Sequence, residues 1–400
     1  MSNAELVEIA QHDALPNYRP PPFVLTRGRG TRVWDADDRE YLDFSGGIAV
    51  LSVGHAHPKL AAAIGEQAGR LMHTSNLFYN DRAIRLAHEI VRRTGFDRVY
   101  FGNSGAEANE ALLKLGRRWH HERGDAERVE IVAMKSSFHG RTMGALSMTG
   151  QPKYHVGMAP LVGGVHHVPF NDIGALEALV SERTAAVILE PLQGEGGLVL
   201  GDPKYLSDVR ALCDARGALL FFDEVQTGYG RLGTFLGREH SGVMPDACAL
   251  AKGMGGGFPI GAIAVREKLA NGLPPGSHAS TFGGNPLACA AGLAVLEIFD
   301  EEKLVDNARA MGERMGAALD AVVREHAAAT ESRGLGLLRG VRLREGTDAT
   351  QVITRLRDEQ GMLATIAGGD VIRLAPPLNV TADEVDDAVR RLGATLQAVS

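Results

Sequence analysis

The segment Pro245-Asp-Ala-Cys-Ala-Leu-Ala-Lys-Gly-Met-Gly-Gly-Gly257 decides the fold, because in it a short apolar run passes directly into a lysine and a glycine tract. A second apolar run upstream, Ala218-Leu-Leu-Phe-Phe-Asp223, ends on an aspartate. Apolar runs without polar alternation are typical of strands buried on both faces. We therefore expect Lys252 and Asp223 at the ends of two buried strands.

Residues 98 to 265 alternate between such runs and helical patterns. Two of the helical segments are residues 106–120 and Pro203–Arg216. This alternation predicts an α/β domain built around a mostly parallel, seven-stranded sheet. The predicted strands are residues 98–101, 130–134, 165–168, 186–190, 219–223, 247–251 and 260–265.

The C-terminal third has a different pattern. A long helical stretch from residue 285 to about residue 319 precedes two strand-like runs, at residues 336–343 and 371–374. A capping box, Thr381-Ala-Asp-Glu384, predicts the start of the closing helix. Together these elements predict a smaller α+β domain.

Residues near the N-terminus are expected to join that smaller domain. The segment Arg32-Val-Trp-Asp-Ala-Asp-Asp-Arg-Glu-Tyr-Leu-Asp43 predicts a hairpin around an aspartate-rich turn. This interpretation divides the chain into a large domain of residues 50–295 and a small domain of residues 1–49 and 296–400.

The composition is that of an ordinary soluble protein, with 44% hydrophobic and 23% charged residues among 400. A net charge of −7 without a basic block argues against nucleic acid as a partner. No apolar run approaches the ~20 residues that span a bilayer, and no secretory signal opens the chain. We therefore expect a cytoplasmic protein without a membrane partner. Cys213, Cys248 and Cys289 form no CxxC pair and are expected as buried thiols.

A lysine and an aspartate at the ends of buried strands indicate covalently held pyridoxal phosphate (PLP). The Lys252 amine would form the Schiff base, and Asp223 would keep the pyridine nitrogen protonated so that the ring accepts electrons. Either residue alone is better interpreted as a surface charge. In combination with a phosphate site, the two favour the cofactor.

That phosphate site is predicted at Phe101-Gly-Asn-Ser-Gly-Ala-Glu107, which follows a strand and opens a helix. Small residues there let backbone N–H groups approach an anion at the positive end of the helix dipole. A simple strand-to-helix turn has a similar composition, so the signal is weak alone. The absence of GxGxxG, GxxxxGK[ST] and GxSxG argues against dinucleotide, nucleoside triphosphate and serine-hydrolase sites.

Further loops carry candidate binding residues. In Phe138-His-Gly-Arg-Thr142, the Phe138 ring could stack on a planar cofactor and Arg141 could bind a carboxylate. Alternatively, Phe138 is a packed side chain and Arg141 a solvated charge. Glu195, in the glycine loop of residues 190–197, is the candidate partner of Arg373, which lies on an otherwise apolar strand. None of the 14 histidines has metal-site spacing, so no metal site is predicted.

With these residues in place, the chain resembles the class III PLP-dependent aminotransferases, and within them the acetylornithine aminotransferases. The resemblance runs almost end to end. It implies fold type I, as in aspartate aminotransferase, with a large PLP domain, a small domain, and a homodimer whose active sites lie at the subunit interface. It rests on the motifs at residues 47–50, 54–58, 103–110, 138–142, 190–197, 222–228, 251–261, 280–286 and 371–377.

Carried over residue by residue, the resemblance implies roles around the cofactor. Lys252 is the Schiff-base lysine, and Asp223 pairs with the pyridine nitrogen. Gln226 would contact the ring hydroxyl, and Phe138 would stack on the ring. The phosphate would be bound by Gly105, Ala106 and, from the neighbouring subunit, Thr281.

The resemblance also implies contacts with the substrates. Arg141 would hold the α-carboxylate of the amine donor, and Ser280 and Tyr18 would contact the substrate. Glu195 and Arg373 would form a switching pair that lets one site accept both a basic donor and a dicarboxylic keto acid.

The implied activity is transfer of the δ-amino group of N-acetylornithine to 2-oxoglutarate, giving N-acetylglutamate 5-semialdehyde and glutamate, a step of arginine biosynthesis. Lys252 would act as general base and acid. Ornithine, succinylornithine and 4-aminobutyrate aminotransferases remain alternatives, although Gly46 and Gly47 leave room for an acylated substrate. Arg141 disfavours a glutamate-1-semialdehyde aminomutase. A PLP-binding regulator without turnover is an alternative of another class, but the N-terminus is too short and too little basic for a DNA-binding domain.

Overall fold

The computed structural model describes residues 1–399, which form twelve α-helices and seventeen β-strands. The helices are α1 (Asn3–Asp13), α2 (Gly46–Ala49), α3 (Pro58–Ala68), α4 (Asp81–Thr94), α5 (Gly105–His121), α6 (Met143–Met148), α7 (Ile173–Leu179), α8 (Pro203–Arg216), α9 (Pro286–Glu301), α10 (Leu304–Glu325), α11 (Ala349–Asp358) and α12 (Ala382–Gln397). The strands are β1 (Leu25–Arg29), β2 (Arg32–Asp35), β3 (Glu40–Asp43), β4 (Arg98–Gly102), β5 (Glu130–Met134), β6 (Val165–Val168), β7 (Thr184–Leu189), β8 (Leu192–Gln193), β9 (Val199–Leu200), β10 (Leu219–Asp223), β11 (Ala247–Leu250), β12 (Gly261–Val265), β13 (Ala329–Leu335), β14 (Leu338–Leu343), β15 (Met362–Leu363), β16 (Thr365–Ala367) and β17 (Val371–Leu374).

The central sheet has seven strands in the order β4-β12-β11-β10-β7-β5-β6. Strand β12 runs antiparallel to β4 and β11, and the other neighbouring strands are parallel. Each strand corresponds to one of the apolar runs, so the predicted mostly parallel seven-stranded sheet is confirmed. Strands β7, β10 and β11 are buried along their whole length, which explains their lack of polar alternation.

Helices cover both faces of this sheet. On one face, α5 contributes Leu112 to a core cluster that includes Phe221 of β10. On the other, Leu86 of α4 and Val295 of α9 belong to a larger cluster with Phe222. Phe221 and Phe222 are successive residues of one strand, so their side chains point to opposite faces and enter different clusters.

The helical stretch predicted from residue 285 is two helices, α9 and α10, and not one. The chain leaves the helix at Glu302 and Lys303, where Lys303 has a left-handed φ of 51°. No glycine or proline marks this break, so the sequence pattern did not reveal it. The predicted boundary at residues 295 and 296 falls inside α9, and the division into two domains stays a prediction.

Two four-stranded sheets lie outside the central sheet, with orders β1-β2-β3-β15 and β13-β14-β17-β16. The predicted hairpin of residues 32–43 is confirmed as the antiparallel pair β2–β3. Strand β15 pairs in parallel with β3 and so connects the C-terminal third to the N-terminal segment. Helix α12 begins at the predicted capping box, in which Thr381 and Glu384 bond each other's backbone N–H.

Residues 1–399 contain the three cysteines and all the described helices. Cys213, Cys248 and Cys289 are buried free thiols, as predicted. None of the described helices is both long enough and apolar enough to cross a membrane.

Candidate active site

The carboxyl ends of parallel strands meet at one edge of the central sheet, where ligands bind in open α/β folds. Polar residues gather there: Ser104 after β4, Glu190 after β7, Asp223 at the end of β10 and Lys252 after β11. They line a cavity of about 460 Å³, a size typical of small-molecule sites. The predicted site residues that line it are Gly105, Ala106, Phe138, Arg141, Glu195, Asp223, Gln226 and Lys252.

Lys252 begins a short 3-10 turn directly after β11 and has a left-handed φ of 45°. Burial of its amine lowers the pKa from 10.5 to about 8, although the nearby carboxylates of Glu195, Asp223 and Glu190 act in the opposite direction. An amine with this pKa is neutral in about a tenth of the molecules at pH 7, a far larger share than for an ordinary lysine. Lys252 is therefore suited to act as a nucleophile or a base.

Asp223 is buried and held by three donors. Its Oδ2 accepts hydrogen bonds from Asn109 Nδ2 and is 2.7 Å from His139 Nδ1, and its Oδ1 accepts from the Val225 backbone N–H at 2.9 Å. Asn109 Nδ2 lies 2.7 Å from the same carboxylate and also donates to the His139 carbonyl. These three contacts hold the carboxylate and fix its orientation. The sequence analysis did not identify Asn109 or His139.

Helix α5 presents its N-terminus to the cavity. Ser104 caps the helix by accepting from the Glu107 N–H, and the first-turn residues Gly105 and Ala106 line the cavity. A Cβ at Gly105 would lie 2.7 Å from Val225 Cγ1, so only glycine allows the helix end to lie this close to Val225. The N–H groups of the first turn have no partner within a helix and favour an anion.

Phe138 and Glu190 connect two loops at the cavity wall. The Phe138 N–H donates to Glu190 Oε2 at 3.2 Å. Glu190 is buried, and this burial together with the charge of Asp223 raises its pKa well above the ordinary value of 4.5. Glu190 therefore holds a proton more readily than an ordinary glutamate, and the sequence analysis gave it no role of its own.

The predicted pairing of Glu195 with Arg373 is present. Arg373 is 2% exposed on β17, and its Nη1 donates to Glu195 Oε1 and, at 3.2 Å, to Gln226 Oε1. Its Nε donates to Thr365 Oγ1 at 3.0 Å. Burial raises the pKa of Glu195, but the Arg373 guanidinium, with Lys252 and Gln226, lowers it below its usual value. Glu195 is thus a carboxylate that neutralises a buried arginine beside the cavity.

Four predicted residues do not line the cavity, among them Arg373, which contacts the lining residues Glu195 and Gln226. Ser280 is connected to its rim, because Asn103 Nδ2, from the cavity wall, donates to Ser280 Oγ at 3.1 Å. Thr281 is exposed on the surface of the single chain. Tyr18 is 80% exposed and lies in the N-terminal segment. The roles given to these residues, like those of the cavity residues, stay predictions.

The two glycines expected to leave room for an acyl group differ. A Cβ at Gly46 would lie 2.5 Å from the Ala375 carbonyl oxygen, so the backbone itself requires glycine there. A Cβ at Gly47 would have no atom within 4 Å. Both have positive φ, and only Gly47 is bordered by open space.

These residues fit PLP. One cavity brings together a lysine of lowered pKa, a buried carboxylate with three donors, and a helix N-terminus whose close approach requires glycine. Such an arrangement supplies an amine for the aldehyde, an anion for the pyridine nitrogen and N–H groups for the phosphate.

Comparisons with known proteins agree with this interpretation. The family described as aminotransferase class-III matches residues 14–396. The chain is 46% identical over 378 residues to an acetylornithine aminotransferase of Pseudomonas putida, covering 94% of this chain and 93% of the relative. It is 44% identical to a protein of Pseudomonas aeruginosa named succinylornithine transaminase/acetylornithine aminotransferase, over 96% of both chains. The crystal structure of ornithine aminotransferase from Toxoplasma gondii superposes with a TM-score of 0.95 at 35% identity, covering 100% of this chain and 96% of that one.

The family match extends over nearly the whole chain, and the fold and the cavity agree with it. The prediction of a PLP-dependent transaminase with the fold of this family is therefore confirmed. The chain belongs to the class-III aminotransferases, which are PLP-dependent enzymes.

Proposed function

We propose that this enzyme transfers the δ-amino group of N-acetylornithine to 2-oxoglutarate, giving N-acetylglutamate 5-semialdehyde and glutamate, as in arginine biosynthesis. The name of the Pseudomonas putida relative supports this substrate. The observation that carries the proposal is that one arginine of the cavity wall has no carboxylate partner within the described chain, whereas a second arginine, just behind the wall, is paired with one. Among residues 1–399, Arg141 has no carboxylate partner, whereas Arg373 is paired with Glu195.

This difference suits two substrates of different charge. N-acetylornithine has one carboxylate, far from the reacting amine, which Arg141 would bind while Glu195 keeps Arg373 neutralised. 2-Oxoglutarate has two carboxylates, of which one adjoins the reacting carbon. Arg141 would bind the distal carboxylate, and Arg373 would bind the proximal one after Glu195 turns away. Bidentate arginine–carboxylate pairs have the strength and geometry for both tasks.

The chain's own residues would supply binding and proton transfer. PLP, when bound, supplies the electron sink that makes the hydrogen on the donor's δ-carbon acidic. Lys252 Nζ, with its pKa of about 8, accepts the proton from that carbon and later donates it. The cofactor would be held by Asp223 at the ring nitrogen, Gln226 at the ring hydroxyl, Phe138 at the ring face, and Gly105, Ala106 and the neighbouring subunit's Thr281 at the phosphate.

Ornithine, succinylornithine and 4-aminobutyrate are the competing donors, since relatives of this chain carry the names of the first two activities. Gly47 is exposed and does not line the cavity, so the open space beside it does not discriminate among these donors. Purified enzyme mixed with each donor should lose its visible cofactor absorbance fastest with N-acetylornithine in single turnover. Lys252→Ala is the control and should show no turnover. Faster reaction with another donor would show that this other amine is the preferred substrate. No reaction with any amine would favour the alternative of a PLP-binding regulator without turnover.

We further propose that the enzyme is a homodimer with Thr281 at the neighbouring active site. Leu77, Phe78 and Tyr79 are 81%, 73% and 95% exposed, a contiguous apolar surface of the kind that marks an interface. Asn76 Nδ2 donates to the Ser280 carbonyl at 2.9 Å, so the loop that carries Thr281 lies beside this surface.

Sedimentation analysis of Phe78→Asp tests the dimer. The variant should be monomeric and should bind PLP more weakly, because Thr281 would no longer reach a partner. A monomeric enzyme with full activity would contradict the proposal. The acidic composition and the free buried thiols also support the proposal that the enzyme acts in the cytoplasm.

A further inference from the structure

Arg141 is held by aromatic rings rather than by anions. No hydrogen bond or ion pair of its guanidinium occurs among residues 1–399. Its Cζ lies 3.7 Å from the centroid of the Tyr154 ring and 5.6 Å from that of Phe138. An unpaired arginine on a surface is normally free to sample many rotamers, so the close stacking on Tyr154 is a specific restraint.

Tyr154 is itself firmly placed. It ends the 3-10 turn Pro152–Tyr154, and the residues on either side are hydrogen-bonded to neighbouring segments. Gln151 Nε2 donates to the Ser137 carbonyl at 3.2 Å, and His155 Nε2 lies 2.9 Å from the Thr149 carbonyl oxygen. The Tyr154 ring meets the edge of Phe138 at a centroid distance of 6.1 Å and an angle of 84°.

Stacking leaves the binding edge of the guanidinium available. The N–H groups of arginine lie in the plane of the guanidinium, so a ring packed against its face blocks none of them. A carboxylate can still be bound by two parallel hydrogen bonds at the edge. Because the ring fixes the plane, less rotamer freedom is lost when the carboxylate arrives.

We propose that Tyr154 is a positioning residue that fixes the guanidinium plane of Arg141 and so favours amine donors carrying an α-carboxylate. This inference rests on the proposed function, in which Arg141 binds that carboxylate. The Tyr154 hydroxyl has no hydrogen bond among residues 1–399, so the ring face alone performs the task. Lys153 Nζ lies 4.9 Å from the same ring, is exposed, and offers a matched control.

The test compares N-acetylornithine with N-acetylputrescine, which is the same amine without the carboxylate. The measured quantity is the ratio of kcat/KM for the two donors. Tyr154→Leu should lower this ratio by about three- to thirtyfold, the range of a cation–π contact, through a higher KM for N-acetylornithine at nearly unchanged kcat. Tyr154→Phe and Lys153→Met should keep the wild-type ratio. Tyr154→Met replaces the leucine variant if that protein does not fold.

Arg141→Met provides the reference for the full loss of carboxylate recognition. If it leaves the ratio at the wild-type value, the proposed carboxylate contact fails and this inference fails with it. If Arg141→Met lowers the ratio but Tyr154→Leu does not, only the positioning role is overturned. Equal losses with both donors in Tyr154→Leu would show a general structural role and would also overturn the inference.

Discussion

Replacing His139 tests how the buried carboxylate at the cavity floor is held. His139 Nδ1 lies 2.7 Å from Asp223 Oδ2, and its side chain is fully buried. Hydrogen bonds to a charged group contribute about 1.5–3 kcal/mol. If Asp223 must be ionised and oriented in the transition state, His139→Leu should lower kcat by about 10- to 150-fold, since each 1.36 kcal/mol is a factor of ten. Asn109 and the Val225 N–H remain, so the loss should be smaller than that of Asp223→Ala.

The assay is kcat and kcat/KM for N-acetylornithine, with the protonation of the cofactor nitrogen followed by ¹⁵N NMR of labelled PLP. A purely structural defect would lower activity without changing the nitrogen signal. His120→Leu is the matched control, because His120 is similarly buried but, within residues 1–399, its ring bonds only to the Ala185 carbonyl, away from the cavity. A His139→Leu enzyme within about threefold of wild type, or an equal loss in His120→Leu, would refute the reasoning.

Three further predictions concern the cavity. Burial lowers the pKa of Lys252 to about 8, so the rate of PLP uptake by the apoenzyme should rise with pH through about 8 and then level off. A pH–rate profile with its midpoint near 10.5 would contradict this. Gly105→Ala should weaken PLP binding by about tenfold, because the new methyl group would contact Val225. The double variant Gly105→Ala/Val225→Ala should regain most of the affinity for PLP. If it does not, the contact with Val225 is not the cause of the loss. Burial and the charge of Asp223 raise the pKa of Glu190 well above 4.5, so Glu190→Gln should keep kcat within about threefold of wild type. Glu190→Ala leaves the Phe138 N–H without an acceptor and should lower kcat further. The reverse order would show that an ionised Glu190 is needed.

The sheet could be predicted from sequence because its signal is local. A strand buried on both faces must be apolar at every position, and β10 and β11 satisfy this over their whole length. The order of the strands could not be predicted in this way, because pairing joins distant segments, such as β4 with β12. The break at Lys303 also escaped prediction, since a left-handed lysine leaves no mark in composition.

The residues of the candidate site also differ in whether their signal in the sequence is local. Lys252 and Asp223 were found because each follows an apolar run. Asn109 and His139 were not, because their bonds to Asp223 span 114 and 84 residues. One signal was present: Asn109 lies on the same face of α5 as Leu112, Leu113 and Gly116, where a buried amide demands a partner. The Arg141–Tyr154 stack has no comparable sequence signal.

The loop after β5 brings these contributions together and explains why they depend on one another. Phe138 lines the cavity, His139 holds Asp223, and Arg141 stacks on Tyr154, all within one short segment. Gly140 between them has a φ of 132°, and a Cβ there would lie 2.7 Å from Ala106 Cβ in the first turn of α5. The loop is therefore packed against the helix N-terminus that would bind the phosphate. A shift of this loop would move the aromatic wall, the support of Asp223 and the proposed carboxylate-binding arginine together, so the placement of cofactor and donor depends on how this one loop is held.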